Sequence, residues 1–354
     1  SCAGNGVSDR LDTAEALVQS SPDSALAILR SIDTLTLTTR PLRARYSLLH
    51  AMALDKNWID TTDVNVVTPA VEYYSRHGTA DQRTKAYYYQ GRIFENGSDL
   101  TAAAVSYAIA EDASTLTGNN GYRGLVEMAI ANVYRKTHNV DKTLEYTEKA
   151  RLSFIAASDT SHLRLIDGRL AMAYQEKQEW HTADSLYQEG IRKAGCDTVY
   201  AMLYLSQYAA MKVIQPKSDP EGAIELLRIK RMDYGKALTV KDYGVYALAS
   251  AQVSDFQTCD AILAKIAGLP PTSRKEARYF VYRITELRKD YKAANDMLKS
   301  IYSDQDVMVS GILNQSVSVA LQEHYERQSI ESLSKMKKNR LFLALLLTVI
   351  TAVF

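Results

Sequence analysis

The stretch AYYYQGRIFENGSDLTAAAVSYAIA, Ala86 to Ala110, decides how the rest of the chain is read. Tyr87, Gly91 and Phe94 fall at helical spacing, Asn96-Gly97-Ser98 interrupts it, and Ala103, Tyr107 and Ala110 take it up again. That is the pattern of two helices joined by a tight turn. It recurs downstream. Counting from Ala103, a small residue returns at Thr143, Ala183, Ala223, Cys259 and Ala294, at intervals of 40, 40, 40, 36 and 35 residues. Shortly before each lies a residue at a matching turn position: Leu100, Val140, Trp180, Pro220, Phe256 and Tyr291. All but Pro220 are apolar side chains able to plug a helix junction.

The repeating unit resembles a tetratricopeptide repeat (TPR), a pair of antiparallel helices packed through a small residue where they cross. The resemblance covers nearly all of the chain and implies that Gly91 lets the second helix approach closely, with Ala103 as that helix's small residue. Steps of 40 residues exceed the usual repeat of about 34, so the helices are expected to be a turn longer or the loops extended. Two earlier helix pairs precede the central repeat. The expected fold is all-α: a right-handed superhelical solenoid of about eight TPR-like hairpins, with a long C-terminal helix running into a transmembrane span.

Composition agrees. In 354 residues there are only 7 prolines, all in predicted turns or first turns of helices, and alanine-rich helical periodicity runs between them. Charge is balanced, with 42 Lys+Arg against 41 Asp+Glu, so no direct nucleic-acid contact is expected of this segment. Tyrosine outnumbers phenylalanine 23 to 6, which suits half-buried rings whose hydroxyls stay wet.

Four segments follow from this reading. Residues 1–7 form a polar linker similar to the end of a bacterial lipoprotein signal, with Cys2 as the lipid-bearing residue; the alternative is an ordinary cysteine near a flexible terminus. Residues 8–303 are the repeat array. In residues 304–340, Leu313, Val317, Leu321 and Tyr325 lie four apart, a stripe expected to cap the final hairpin, and Lys335, Lys337, Lys338 and Arg340 follow. Residues 341–354, LFLALLLTVITAVF, are uncharged. Fourteen helical residues span roughly 21 Å against the ~30 Å of a bilayer core, so the segment reads as a truncated transmembrane helix. The two membrane signals point opposite ways: lipid on Cys2 places the array outside the cytoplasm, whereas the cations before the span favour the cytoplasmic side. The expected location is the cell envelope, anchored in the inner membrane, with the array periplasmic.

Catalytic chemistry is not evident. There is no Gly-Lys phosphate loop, HExxH, GxSxG or CxxC, and the six histidines have no ligand spacing, so no catalytic residue, cofactor or metal is assigned. Ser332-Leu-Ser-Lys335 matches an acyl-enzyme pattern by letter alone. Cys259 occupies a packing position and reads as a small buried thiol rather than as half of a disulfide with Cys196. Asp-Ser/Thr followed by a small or apolar residue recurs, as at Asp12-Thr13-Ala14 and Asp184-Ser185-Leu186, similar to the O-glycosylation pattern of Bacteroides-type envelope proteins. The same residue types are common helix N-caps.

What remains is a groove. In the TPR family the concave surface is lined by the first helix of each hairpin. Carried onto this chain, that implies Tyr88, Arg92, Glu95 and Asn96, then Met128, Asn132 and Arg135, then Met172, Gln175 and Glu176. Such a mixture suits a protein or peptide ligand. The whole layout resembles membrane-anchored TPR envelope proteins of Bacteroides-type bacteria. The expected function is a membrane-anchored protein–protein interaction module, the sensory half of a transmembrane regulator; the alternative is a static envelope scaffold.

Overall fold

The computed structural model describes residues 2–195, 198–235, 237–313, 317, 320–328, 330, 332, 334, 336 and 338. Among them there is no β-strand. The chain divides into two compact units, Ser1–Val133 with Leu313–Phe354, and Tyr134–Ile312. The first holds α1 (Cys2–Leu17) with α2 (Pro22–Arg30), α3 (Arg40–Lys56) with α4 (Thr68–His77), α5 (Ala80–Asn96) with α6 (Leu100–Ser114), and most of α7 (Asn120–Lys136). The second holds α8 (Val140–Ala156), α9 (Thr160–Glu176) with α10 (Trp180–Ala194), and α11 (Thr198–Ile214) with α12 (Pro220–Met232). It continues with α13 (Val240–Gln252), α14 (Phe256–Ala267), the single turn α15 (Pro271–Arg274), α16 (Arg278–Leu287) and α17 (Tyr291–Leu313).

The helices begin and end where local chemistry dictates. Asp99, Asn139, Asp159, Asp219 and Asp255 each accept a backbone N–H from three residues on, which starts α6, α8, α9, α12 and α14. Thr79 with Gln82, and Thr239 with Asp242, form reciprocal capping boxes at α5 and α13. The turn inside a hairpin is equally regular. Ser98, His138, Gln178, Ser254 and Lys289 all take left-handed backbone, with φ between 56° and 66°. Each stands five residues before a small position, and the next residue donates its N–H five residues back, as Asp99 does to the Phe94 carbonyl at 2.9 Å. This closure satisfies orphan carbonyls at the end of the first helix. Trp58, 40 residues before Ser98, adopts the same conformation (φ 58°), so the preceding hairpin shares the register.

Pro220 marks the exception. There the connector 215–219 is longer, and the Asp219 N–H reaches back to the Lys212 carbonyl at 2.9 Å. The five apolar residues of the turn position, and Pro220, are the first residues of α6, α8, α10, α12, α14 and α17.

All six small positions are buried: Ala103, Thr143, Ala183, Ala223, Cys259 and Ala294. Two glycines show how close the packing is. A Cβ on Gly91 would lie 2.4 Å from Cε1 of Tyr107, and one on Gly190 would lie 2.2 Å from Cε1 of Tyr204. Each ring fills the space that a side chain would need, and both tyrosines are fully buried. In the second unit, one core gathers Ala183, Tyr187, Tyr204, Tyr208 and Met211, and another gathers Leu227, Leu248, Cys259, Phe280 and Ile284. Cys259 is a buried free thiol whose pKa is pushed up by that burial.

Two expectations change. Helix α1 starts at Cys2 rather than after a linker ending at residue 7; Val7, Leu11, Ala14 and Val18 are buried at helical spacing and anchor it. Val317 and Leu321 are buried, in a segment that belongs to the first unit rather than to the second unit of the last hairpin. His324 Nε2 lies 3.0 Å from Asp112 Oδ2, and the Tyr325 hydroxyl donates to Glu111 Oε2 at 3.2 Å, so this segment packs in the first unit against α6. No helix among the described residues is long and apolar enough to cross a membrane. Leu341–Phe354, Cys196 and Lys335 lie outside the described residues.

Candidate functional site

The first helices of the first unit are joined by a ladder of polar side chains. Arg92 on α5 donates through Nε to Asp55 Oδ1 on α3 at 2.9 Å, and its Nη1 stands 3.6 Å from Glu95 Oε2. Glu95 also accepts from the Tyr107 hydroxyl at 2.8 Å and from the Asn132 amide on α7. Asn96 reaches the Thr61 carbonyl at 3.2 Å. Burial alone would discourage the Arg92 charge, but Tyr88, Asp55 and Tyr107 outweigh it and hold the guanidinium above its ordinary pKa. A half-buried charge retained this way needs its partners in place.

Tyr88 differs from its expected role. It is 7% exposed, and its ring lies edge-on to Tyr89 at 5.0 Å and to Tyr122 at 6.1 Å between centroids. Burial, helped by Asp55, pushes its hydroxyl pKa up. Tyr88 is therefore a core ring under the ladder rather than an open aromatic anchor. Glu95 is likewise buried. The structure brings Tyr88, Arg92, Glu95, Asn96 and Asn132 together, and half-buried Met128 lies one turn before Asn132 on α7.

Arg135, Met172, Gln175 and Glu176 belong to the second unit. Arg135 is half-buried near the end of α7. On α9, Met172 packs against the tyrosine-rich core, Gln175 accepts from the Tyr187 hydroxyl at 3.3 Å, and Glu176 is exposed. Nearby, Lys212 bridges Asp184 and Asp219, each at 3.1 Å, over the Tyr208 ring. Lys230 and Asp242 form a buried ion pair at 2.5 Å, with Ser206 Oγ 2.7 Å from the ammonium. These groups hold hairpins together, and none forms a nucleophile–base pair. Among the described residues no three His, Cys, Asp or Glu gather as metal ligands.

Sequence reasoning missed two features. Asp55, the partner of Arg92, lies 37 residues away on another helix with nothing local to mark it. The second is an open cleft of about 720 Å³ in the first unit, lined by Arg40 and Arg43 at the start of α3 and by Pro69, Val71, Glu72, Tyr73, Ser75, Arg76 and His77 of α4. The two runs meet only because α3 and α4 pair.

No protein-family model and no curated protein sequence matches the chain. Solved structures do resemble it. The apo form of RapI superposes with a TM-score of 0.59 at 14% identity, over 94% of this chain and 98% of that one. The apo form of the quorum sensor NprR from B. thuringiensis gives 0.63 at 16%, over 92% and 94%. NprR in complex with its cognate peptide NprX gives 0.58 at 15%, over 93% and 98%. The likeness extends over nearly the full length of each, and it establishes the fold as a TPR-like helical repeat.

Proposed function

We propose that this protein is a non-enzymatic binding module that takes a peptide, or an extended segment of a partner protein, along the first helices of its repeats. The observation that carries this is the fold likeness over more than nine-tenths of the chain to proteins that include a quorum sensor and its complex with a cognate peptide. First helices bearing amides, methionines and charges suit such a ligand. In the first unit Tyr88 and Glu95 support the first helices from below while Asn96, Met128 and Asn132 present accessible atoms; in the second, Arg135, Met172, Gln175 and Glu176 do so.

The finer reading is a membrane-anchored sensor, the receiving half of a transmembrane regulator in the cell envelope of a Bacteroides-type bacterium. It rests on Cys2, the cation cluster and apolar Leu341–Phe354. A static envelope scaffold is the second reading; the same anchor signals favour it, without a ligand-dependent response.

The test is selection of peptides from a random library on the purified protein, followed by fluorescence anisotropy of the winners. Glu176→Arg and Met128→Ala should each weaken binding about tenfold, while Lys142→Ala and Lys149→Ala, on the second helix α8, should leave it unchanged. Peptides that bind all four variants equally would refute the site.

A further inference from the structure

The cleft between α3 and α4 has a chemistry that the repeat scaffold does not use. Arg45 is held by Asp12 and Glu15, and Arg92 by Asp55. Among the described residues no ion pair involves Arg40, Arg43 or Arg76, and all three line one cavity of about 720 Å³ together with His77. Glu72 is the single carboxylate in the lining. Formal charge there is therefore +2 without His77, in a chain whose net charge is +1. Like-charged guanidiniums around one space repel each other, and an anion between them removes that cost.

The remaining lining says what kind of anion. The Tyr73 and His77 rings stand 5.2 Å apart on one face of α4. The volume is within the range of small-molecule sites and exceeds what one carboxylate fills. Guanidinium forks match phosphate oxygens two at a time, and a flat ring beside them can stack on an aromatic part of the ligand.

We propose that this cleft binds a small phosphate-bearing ligand, with Arg40, Arg43 and Arg76 holding the phosphate and Tyr73 with His77 flanking its organic part. The site takes in the start of α3 and the length of α4, at the opposite end of α3 from Asp55, and is independent of the peptide surface proposed above. Phosphate chemistry of this kind is offered by free phosphate esters and by phospholipid headgroups, and the experiment separates them.

The full chain is titrated by calorimetry with a nucleoside diphosphate and with pyrophosphate, and sedimented with vesicles of phosphatidylcholine with and without phosphatidylglycerol. A free ester is indicated by saturable 1:1 binding of a soluble probe, and a headgroup by sedimentation that requires the anionic lipid. Either supports the site if Arg43→Gln and Arg76→Gln each weaken it about tenfold or more, and if raising salt weakens it further. Both side chains are exposed, and circular dichroism confirms that the variants are folded. Lys142→Gln, in the second unit, serves as the control for non-specific charge. Absence of saturable binding to every probe overturns the proposal, as does binding that Lys142→Gln reduces as much as Arg76→Gln does.

Discussion

Replacing Gly91 by alanine tests a close approach of α6 to α5 in the first unit. The new Cβ would sit 2.4 Å and 2.5 Å from two ring carbons of Tyr107, a fully buried side chain that cannot swing into solvent. Displacing the ring also breaks its hydrogen bond to Glu95, a buried carboxylate. Overpacking costs about 1–3 kcal/mol. A lost hydrogen bond to a charged group adds about 1.5–3 kcal/mol. The better helix propensity of alanine returns about 1 kcal/mol. The net expectation is a loss of about 2–4 kcal/mol, taking partial relaxation of the ring into account. Repeat arrays open locally, so hydrogen exchange of the α5 and α6 amides is the suitable measure. Exchange there should accelerate roughly 30- to 1,000-fold. Gly6→Ala is the matched control: no atom lies within 4 Å of its ideal Cβ, and it is helical. That change should stabilise α1 by about 0.5–1 kcal/mol. If Gly91→Ala exchanges no faster than the parent chain, the close approach of α6 to α5 is not what holds the hairpin.

Other outcomes follow from the same geometry. Ala183→Leu, at a fully buried crossing, should cost about 1–3 kcal/mol in a urea melt, and no loss would mean that the register is wrong. Lys230→Met leaves Asp242 buried without its ammonium and should cost about 3–5 kcal/mol by the same assay. Burial works against the Asp219 charge, but the Gly222 N–H and Lys212 outweigh it and hold the carboxyl below its usual pKa. Its contribution is therefore present above the ordinary carboxylate range and lost as pH falls through the lowered value, so Asp219→Asn should flatten the acid limb of stability below about pH 4. On the membrane-anchored reading proposed above, deleting 341–354 should release the protein from membranes only when Cys2 is also replaced; release by deletion alone would show that Cys2 carries no lipid.

The repeat was legible because its signals are local. Small residues at 103, 143, 183, 223, 259 and 294 are forced by helix crossings inside a hairpin, and each crossing leaves its mark in a short window. The left-handed residue five places before five of them was not visible, because Ser98, His138, Gln178, Ser254 and Lys289 have no single side-chain type in common. The binding surface was harder to read for a different reason. Tyr88 and Arg92 looked available because the partners that bury and pair them are mostly distant in sequence, with only Glu95 and Tyr89 close by. Their neighbours, Asp55, Tyr107 and Tyr122, come from other helices and are brought in only by stacking. The basic cleft escaped notice likewise, since residues 40–43 and 69–77 become one site only through the pairing of α3 with α4.

Site-specific photocrosslinking tests the central claim, a ligand held along the first helices, most directly. Benzoylphenylalanine is placed at Met128 or Met172 on first helices, and at Lys142 or Lys149 on α8, in the full chain with a selected peptide bound. The account predicts covalent capture of the peptide from Met128 and Met172, and none from Lys142 or Lys149. Capture from the two lysine positions alone would place the ligand on the second helices and contradict it.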